Sequence, residues 1–450
     1  MANVQVSQSS LPPVSIEQAF LETYFHALSQ FAYDKAKEVA EKDRDSRKTN
    51  YGSTWTSLLN SLSHLAMAEK MYASLGYLGQ KKWFSGRESL RSTYSSLLTE
   101  LRKIEDTGRQ AVGGTAPSLE KLLAHLCGQL SSFVAARLET MDFYETLCSM
   151  GSSRVIGYAE VAVNLAAIIQ RHSKSFHHPI LTPLKTSFSD ELSILYHLLQ
   201  AQADMAVWCF LPALLHLHEA HSKLNSWGAI VQMAKEQSQK KGFELFGSTS
   251  TKVPQVPPLH QWLLSFKAAL VSKFSLYFNE TLSKQSSPPE MKTLLAKTSC
   301  DYMAKFATFL RKSDATNLSI VLDTRGLEET YKGHGYHHPA AKLEPPKGLD
   351  SYPAIVSVPG ERPQHHWPNL IMIMNNNAAE MNTMERIVYF YDKAFQSTYY
   401  MIRIEPKMTL VVIFETKRAE KDSYVNTFLT EISSQLKNNK LLLNLKPGSK

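Results

Sequence analysis

From Ser15 to about residue 285, apolar positions recur at helical spacing. Ser15, with Gln18 three residues on, forms the pattern of a capping box, and Ile16, Phe20, Tyr24 and Phe31 follow it. The segment TWTSLLNSLSHLAMAEKMYASLGYL buries Trp55, Leu58, Leu59, Leu62 and Leu65 on one stripe, and Leu90, Tyr94, Leu97, Leu101 and Ile104 make the next. GGTAP at 113–117 interrupts the chain, and Pro117 suits the first turn of a long helix running to about Cys148. Further helices are expected near 154–172, 190–210, 212–240 and 259–284, with GSTSTKVPQVPP (247–258) as an exposed loop between the last two. A helix with one apolar stripe has to bury it against another, so residues 14–285 read as a helical bundle. Breaks at 113–117 or 176–189 would both permit two subdomains.

SSPP at 286–289 marks a linker, and the pattern then changes. A helix near 290–312 precedes LSIVLD (318–323) and AIVSV (354–358), runs rich in β-branched residues and therefore strand-like. LIMIM (370–374) follows as a further apolar run, then a helix over about 379–394, strands TYYMIRI (398–404) and TLVVIFE (409–415), and a closing helix over about 420–437. Residues 290–440 thus read as an α/β sandwich with an antiparallel sheet, similar in element order to roadblock/longin-type modules. The fold class is α+β: a large N-terminal helical bundle followed by this C-terminal module. Residues 1–13 are expected to be disordered and 441–450 to form a solvated basic tail.

Composition narrows the function classes. The formal charge is +8, split evenly between residues 286–450 (21 basic, 17 acidic) and the remainder (28 basic, 24 acidic). No Lys/Arg stripe interleaves with aromatics, which argues against a nucleic-acid partner. Cys127, Cys148, Cys209 and Cys300 are far apart and form no C-x-x-C pair, the usage of a reducing compartment. MANVQVSQSSLPPVS has neither a basic n-region nor an apolar h-region. The most apolar run, 205–217, is too short for a bilayer and contains Pro212, so the expected location is cytoplasmic.

Histidines supply the candidate chemistry. HLHEAH (216–221) suggests a zinc helix, but His218 and His221 stand three apart where H-E-x-x-H needs four, so the expectation is a polar stripe. GHGYHH (333–338) fails as a dinucleotide fingerprint because His338 occupies the third glycine position. His334, His337, His338, His365 and His366 crowd the segment 333–368, yet no acidic or thiol partner lies at diagnostic spacing. No metal, cofactor or catalytic residue is therefore assigned; a metal-dependent enzyme using 333–368 is the alternative reading. The segment Gly333–Pro368 suits either a binding loop or a lid over a sheet edge. His337, His338, His366 and Trp367 are its candidate partner-binding residues.

Several long strings are distinctive: FAYDKAKE (31–38), YLGQK (77–81), GGTAP (113–117), FHHPIL (176–181) and FLPALLHLHEAHSKLNSWG (210–228). GHGYHHP (333–339), YPAIVSVPGERPQHHWPNLIMIM (352–374), TLVVIFE (409–415) and LKPGSK (445–450) continue the series. Through them nearly the whole chain resembles the KICSTOR complex subunit 2 family. The resemblance implies a non-enzymatic scaffold subunit without cofactors, assembled with one very large subunit and two propeller-type subunits. It further implies that the assembly holds the GATOR GTPase-activating complex at the lysosomal surface, reached only through partners, and damps TOR signalling in amino-acid or glucose starvation.

Overall fold

The computed structural model describes residues 16–46, 53–79, 89–111, 118–153, 155–241, 256–333, 337–338, 340–341, 343–382 and 386–447. The N-terminal part consists of α1 (Ile16–Ser29), α2 (Tyr33–Ser46), α3 (Ser53–Ala73), α4 (Leu90–Ala111), α5 (Ser118–Met150), α6 (Tyr158–His172), α7 (Thr182–Ala206), α8 (Phe210–Lys241) and α9 (Pro258–Tyr277). The stripes read for the second and third helices are buried, including Leu58, Leu62 and Leu65 on α3 and Tyr94, Leu97 and Leu101 on α4; of the first, Tyr24 and Phe31 are buried, whereas Ile16 is exposed. The central α5 is lined by α4 so closely that a Cβ on Gly108 would lie 2.9 Å from the Ala124 Cβ. Ser15, GGTAP, His334 and the stretch 1–13 fall outside the described residues.

Two short helices, α10 (Asn279–Gln285) and α11 (Pro288–Ala296), lead to α12 (Tyr302–Ser313). The sequence SSPP, expected as a linker, starts α11: the Glu290 carboxylate accepts from the Ser287 N–H and hydroxyl, both at 2.8 Å. The single helix expected over 290–312 is two, because the Asp301 side chain accepts from the Ala304 N–H and begins α12 anew.

The sheet holds β1 (Asn317–Leu322), β2 (Ala354–Val358), β3 (Val388–Asp392), β4 (Ser397–Glu405) and β5 (Met408–Phe414) in the order β2-β1-β5-β4-β3, every pairing antiparallel. Both faces are covered. Leu318, Ile320, Tyr400, Ile402, Leu410 and Val412 join the cluster that runs through the helical bundle. Val321, Tyr399, Met401, Val411 and Ile413 pack instead on α13 (Trp367–Asn376). Neighbouring residues therefore point into different cores, as the period of two requires. The three interior strands, β1, β5 and β4, are buried at every position.

Two expectations are corrected here. LIMIM is part of α13, not a strand-like run: Leu370, Ile371, Ile373 and Met374 are buried while Met372 is exposed, the spacing of a helical face. The helix expected over 379–394 is only the turn α14 (Ala378–Met381), and Val388–Asp392 is the edge strand β3 paired with β4. The chain ends with α15 (Ser423–Lys437) and α16 (Asn439–Leu443). The tail expected to be solvated is anchored instead, with Leu442 and Leu445 fully buried in the main cluster. Trp262 Nε1 donates to the Leu441 carbonyl at 2.9 Å, and Asn439 Nδ2 to the Gly151 and Ser153 carbonyls. Among the described residues no helix is long and apolar enough to cross a membrane.

Candidate functional site

The histidines of HLHEAH diverge along α8. Ala213, Leu217, Ala220, Leu224 and Trp227 form its buried stripe, and the polar residues lie to either side. His216 Nδ1 meets His197 Nδ1 at 2.8 Å and its Nε2 lies 3.7 Å from Asp204. His221 contacts Asn225 and Lys267 at 3.1 Å each, and Glu219 faces Lys223 at 3.6 Å. These side chains reach separate neighbours and share no centre, so the polar-stripe reading describes them well.

The segment after Gly333 behaves differently. His337 is half-buried, with its Nε2 3.4 Å from where a Cβ on Gly333 would stand. His338 is exposed, and its Nδ1 accepts from the Ala340 N–H at 3.1 Å, closing a local turn. His366 and Trp367, 2% and 1% exposed, are core residues at the head of α13. Trp367 Nε1 donates to the Tyr352 carbonyl at 2.9 Å, with the Arg362 guanidinium over its ring. A partner could touch His338 directly, whereas His366 and Trp367 shape the surface from below.

His366 is the hub of a polar chain across the end of the sheet. Its Nδ1 lies 2.8 Å from the Tyr399 hydroxyl on β4, and its Nε2 lies 3.4 Å from Glu415 Oε1, just beyond β5. His365 Nε2 stands 3.6 Å from the same oxygen. Asn369, one turn into α13, donates to Asp392 and to the Tyr399 hydroxyl. Burial lowers the His366 pKa below its ordinary value, a shift that Glu415 opposes and the neighbouring His365 reinforces. His365, His366 and Glu415 are the described residues whose donor atoms converge in a way that could hold a metal ion. Linear spacing missed the acidic partner because Glu415 arrives 49 residues after His366, carried there by β5.

Two further polar centres escaped the sequence reading. Within the bundle, Arg137 on α5 binds Glu69 on α3 through Nε and Nη2 at 3.1 and 3.0 Å, and Glu191 on α7 through Nη1 at 2.6 Å. Tyr94 and Tyr72 donate to those two carboxyl groups at 2.7 and 2.5 Å. Burial alone would lower the Arg137 pKa, but Glu191 and Glu69 outweigh it and hold the pKa well above the ordinary value. At the junction of bundle and sheet, Lys273 on α9 is paired with Glu405 at the end of β4. The same ammonium donates to Gln202 Oε1 on α7 at 3.0 Å and to the Leu436 carbonyl on α15 at 2.8 Å. Gln202 also donates to Glu405 and accepts from Asn438. The signal for both was a lone cation inside an otherwise apolar helical run, FVAARLE and LVSKFSLYF.

Both centres tie together the elements that carry them: α3, α5 and α7 around Arg137, and α7, α9, β4 and α15 around Lys273. Comparison with known proteins gives the lineage. The profile of the family described as "KICSTOR complex C12orf66 like" matches residues 9–450. A protein of Xenopus laevis named KICSTOR subunit 2 is 49% identical over 448 residues, spanning 98% of this chain and 100% of its own length. A protein of Danio rerio with the same name is 48% identical over 445 residues, spanning 98% of each. With near-half identity over 98% of its length and a family profile matching residues 9–450, the chain belongs to the KICSTOR subunit 2 family.

Proposed function

We propose that this chain is a non-catalytic subunit of the KICSTOR complex and acts as a scaffold. In this reading its partners are the other KICSTOR subunits, one very large and two propeller-type, together with the GATOR GTPase-activating complex. The assembly places that complex at the lysosomal surface and so restrains TOR signalling in amino-acid or glucose starvation. The observation that carries the proposal is the match to proteins named KICSTOR subunit 2 over 98% of this chain. The structure is compatible with it: the charged groups buried in the bundle and at its junction are consumed in holding helices and sheet together. The strand order β2-β1-β5-β4-β3, with α13 on one face, supports the roadblock/longin-like reading of the C-terminal module. A scaffold works by summing several modest contacts into stable placement. The segment bearing half-buried His337 and exposed His338 is a candidate for one of them.

The test is affinity capture of the tagged chain from fed and starved cells, with mass spectrometry. The proposal expects the large subunit, both propeller-type subunits and GATOR components in both states. It also expects that deleting the chain disperses GATOR from lysosomes in starved cells. A folded, expressed chain that captures none of them overturns it.

A further inference from the structure

We propose that His365, His366 and Glu415 form a binding site for a divalent transition-metal ion of the Zn²⁺ type, three protein ligands with an open fourth position. The inference is independent of the scaffold role. A tetrahedral ion with Zn–N and Zn–O bonds near 2.0–2.1 Å sets its ligand atoms roughly 3.3 Å apart. His366 Nε2 and His365 Nε2 stand 3.4 and 3.6 Å from Glu415 Oε1, and all three donor atoms lie within 4.8 Å of one another. Two of the three edges of the coordination triangle are thus nearly at bonding size.

Support around the ligands is of the kind metal sites use. A ligating histidine typically donates its other ring N–H to a fixed acceptor, which sets both tautomer and orientation. In the tautomer whose Nδ1–H donates to the Tyr399 hydroxyl, 2.8 Å away, Nε2 presents its lone pair toward the Glu415 carboxylate; in the other, Nε2–H donates to Glu415. The Tyr399 hydroxyl is itself steadied by Asn369, which Asp392 holds. His366 is buried, whereas His365 and Glu415 are more than half exposed, so an ion can enter from solvent and the fourth position faces water. The mix of two imidazoles and one carboxylate suits Zn²⁺ and its first-row neighbours rather than Mg²⁺ or Ca²⁺, which take oxygen ligands.

Titration of the chelator-stripped, full-length protein with Zn²⁺ by calorimetry, and with Co²⁺ by visible absorption, tests the site. One tight equivalent of Zn²⁺ is expected, with a Co²⁺ spectrum of four-coordinate intensity and no binding of Mg²⁺. His365→Ala and Glu415→Gln change side chains that are more than half exposed. Each should weaken Zn²⁺ binding at least about tenfold, the lower bound seen even for outer-sphere partners. Tyr399→Phe, which keeps the ring and removes the orienting hydroxyl, should weaken it less. No binding at micromolar Zn²⁺ overturns the proposal. So does binding that survives both His365→Ala and Glu415→Gln unchanged, since the ion then sits elsewhere, for example on His197 and His216.

Discussion

The buried cations Arg137 and Lys273 pose the same physical problem and solve it differently. Arg137 lies wholly inside the helical bundle, where its five-donor fork reaches two carboxyl groups while the plane of the guanidinium stacks 4.2 Å from the Tyr72 centroid. Lys273 lies where bundle meets sheet, and its three donors are spent on three elements: Glu405 of β4, Gln202 of α7 and the Leu436 carbonyl of α15. Around Arg137 the surplus is negative, two carboxyl groups to one cation, and two tyrosine hydroxyls help to solvate it. Around Lys273 the charges match one to one, and amides complete the shell. Burial lowers the Lys273 pKa against the pull of Glu405, whereas the two carboxyl groups beside Arg137 outweigh burial and raise its pKa. The first centre fixes how three helices pack; the second fixes how two layers of the molecule meet. Desolvation makes both expensive, so neither is a strong source of net stability, while removing one partner from either leaves a costly uncompensated charge.

The largest break in this comparison is Arg137→Met. It strands two carboxyl groups in the bundle and should destabilise the protein by about 4–5 kcal/mol, the upper range for orphaning buried charge. Urea unfolding followed by helical circular dichroism reads this directly. Lys273→Met strands one carboxylate at the junction, and a loss of about 3 kcal/mol is expected. Adding Glu405→Leu should restore most of it, since an apolar pair can replace a buried ion pair; a double variant no better than Lys273→Met alone would mean that Gln202 and Asn438 depend on Glu405. Tyr72→Phe removes one hydrogen bond to Glu191 and leaves the ring under Arg137, for an expected cost of about 1.5–2 kcal/mol.

The mildest effect is with pH. His260 is buried against Trp227 and Phe31, two residues that line the small cavity beside Arg137, and burial lowers its pKa. His172, His178, His197 and His366 are shifted in the same direction, also chiefly by burial. A histidine with a lowered pKa in the folded state contributes stability that is complete above the unfolded value near 6.5 and is lost as pH falls below it. The melting temperature should therefore decline from pH 7 toward pH 5. His260→Phe should make that decline shallower, and an unchanged slope would assign the acid sensitivity to the other histidines.

How much of this could be read from the sequence depended on whether burial is one-sided. The helices of the bundle each bury one face, so Leu58, Leu62 and Leu65, or Tyr94, Leu97 and Leu101, announce themselves by period. Around the sheet that signal fades. β4 and β5 are buried on both faces, which erases alternation, and only their β-branched content marked them as strands. LIMIM sits in α13 beneath the sheet, yet five apolar residues in a row are too few to show a period. VYFYD became an edge strand because β4 offered it a ladder, a partner that local propensity cannot anticipate. The tail reads as polar and basic, but Leu442 and Leu445 are buried within a cluster that also includes α5 residues. The histidine pair was visible as a candidate, while its carboxylate was not.

The sequence by itself determined the lineage, the α+β class, most stripes of the bundle and the mismatch of HLHEAH with the H-E-x-x-H spacing, because each of these is a matter of local spacing or of string identity. The tertiary structure alone decided which charges are buried together, since Arg137 meets Glu69 and Glu191 across 68 and 54 residues and Lys273 meets Glu405 across 132. It also decided that Glu415 faces His366 and that both sheet faces are covered. Pairings of this kind follow from how elements pack in three dimensions, and a chain carries no periodicity that records them.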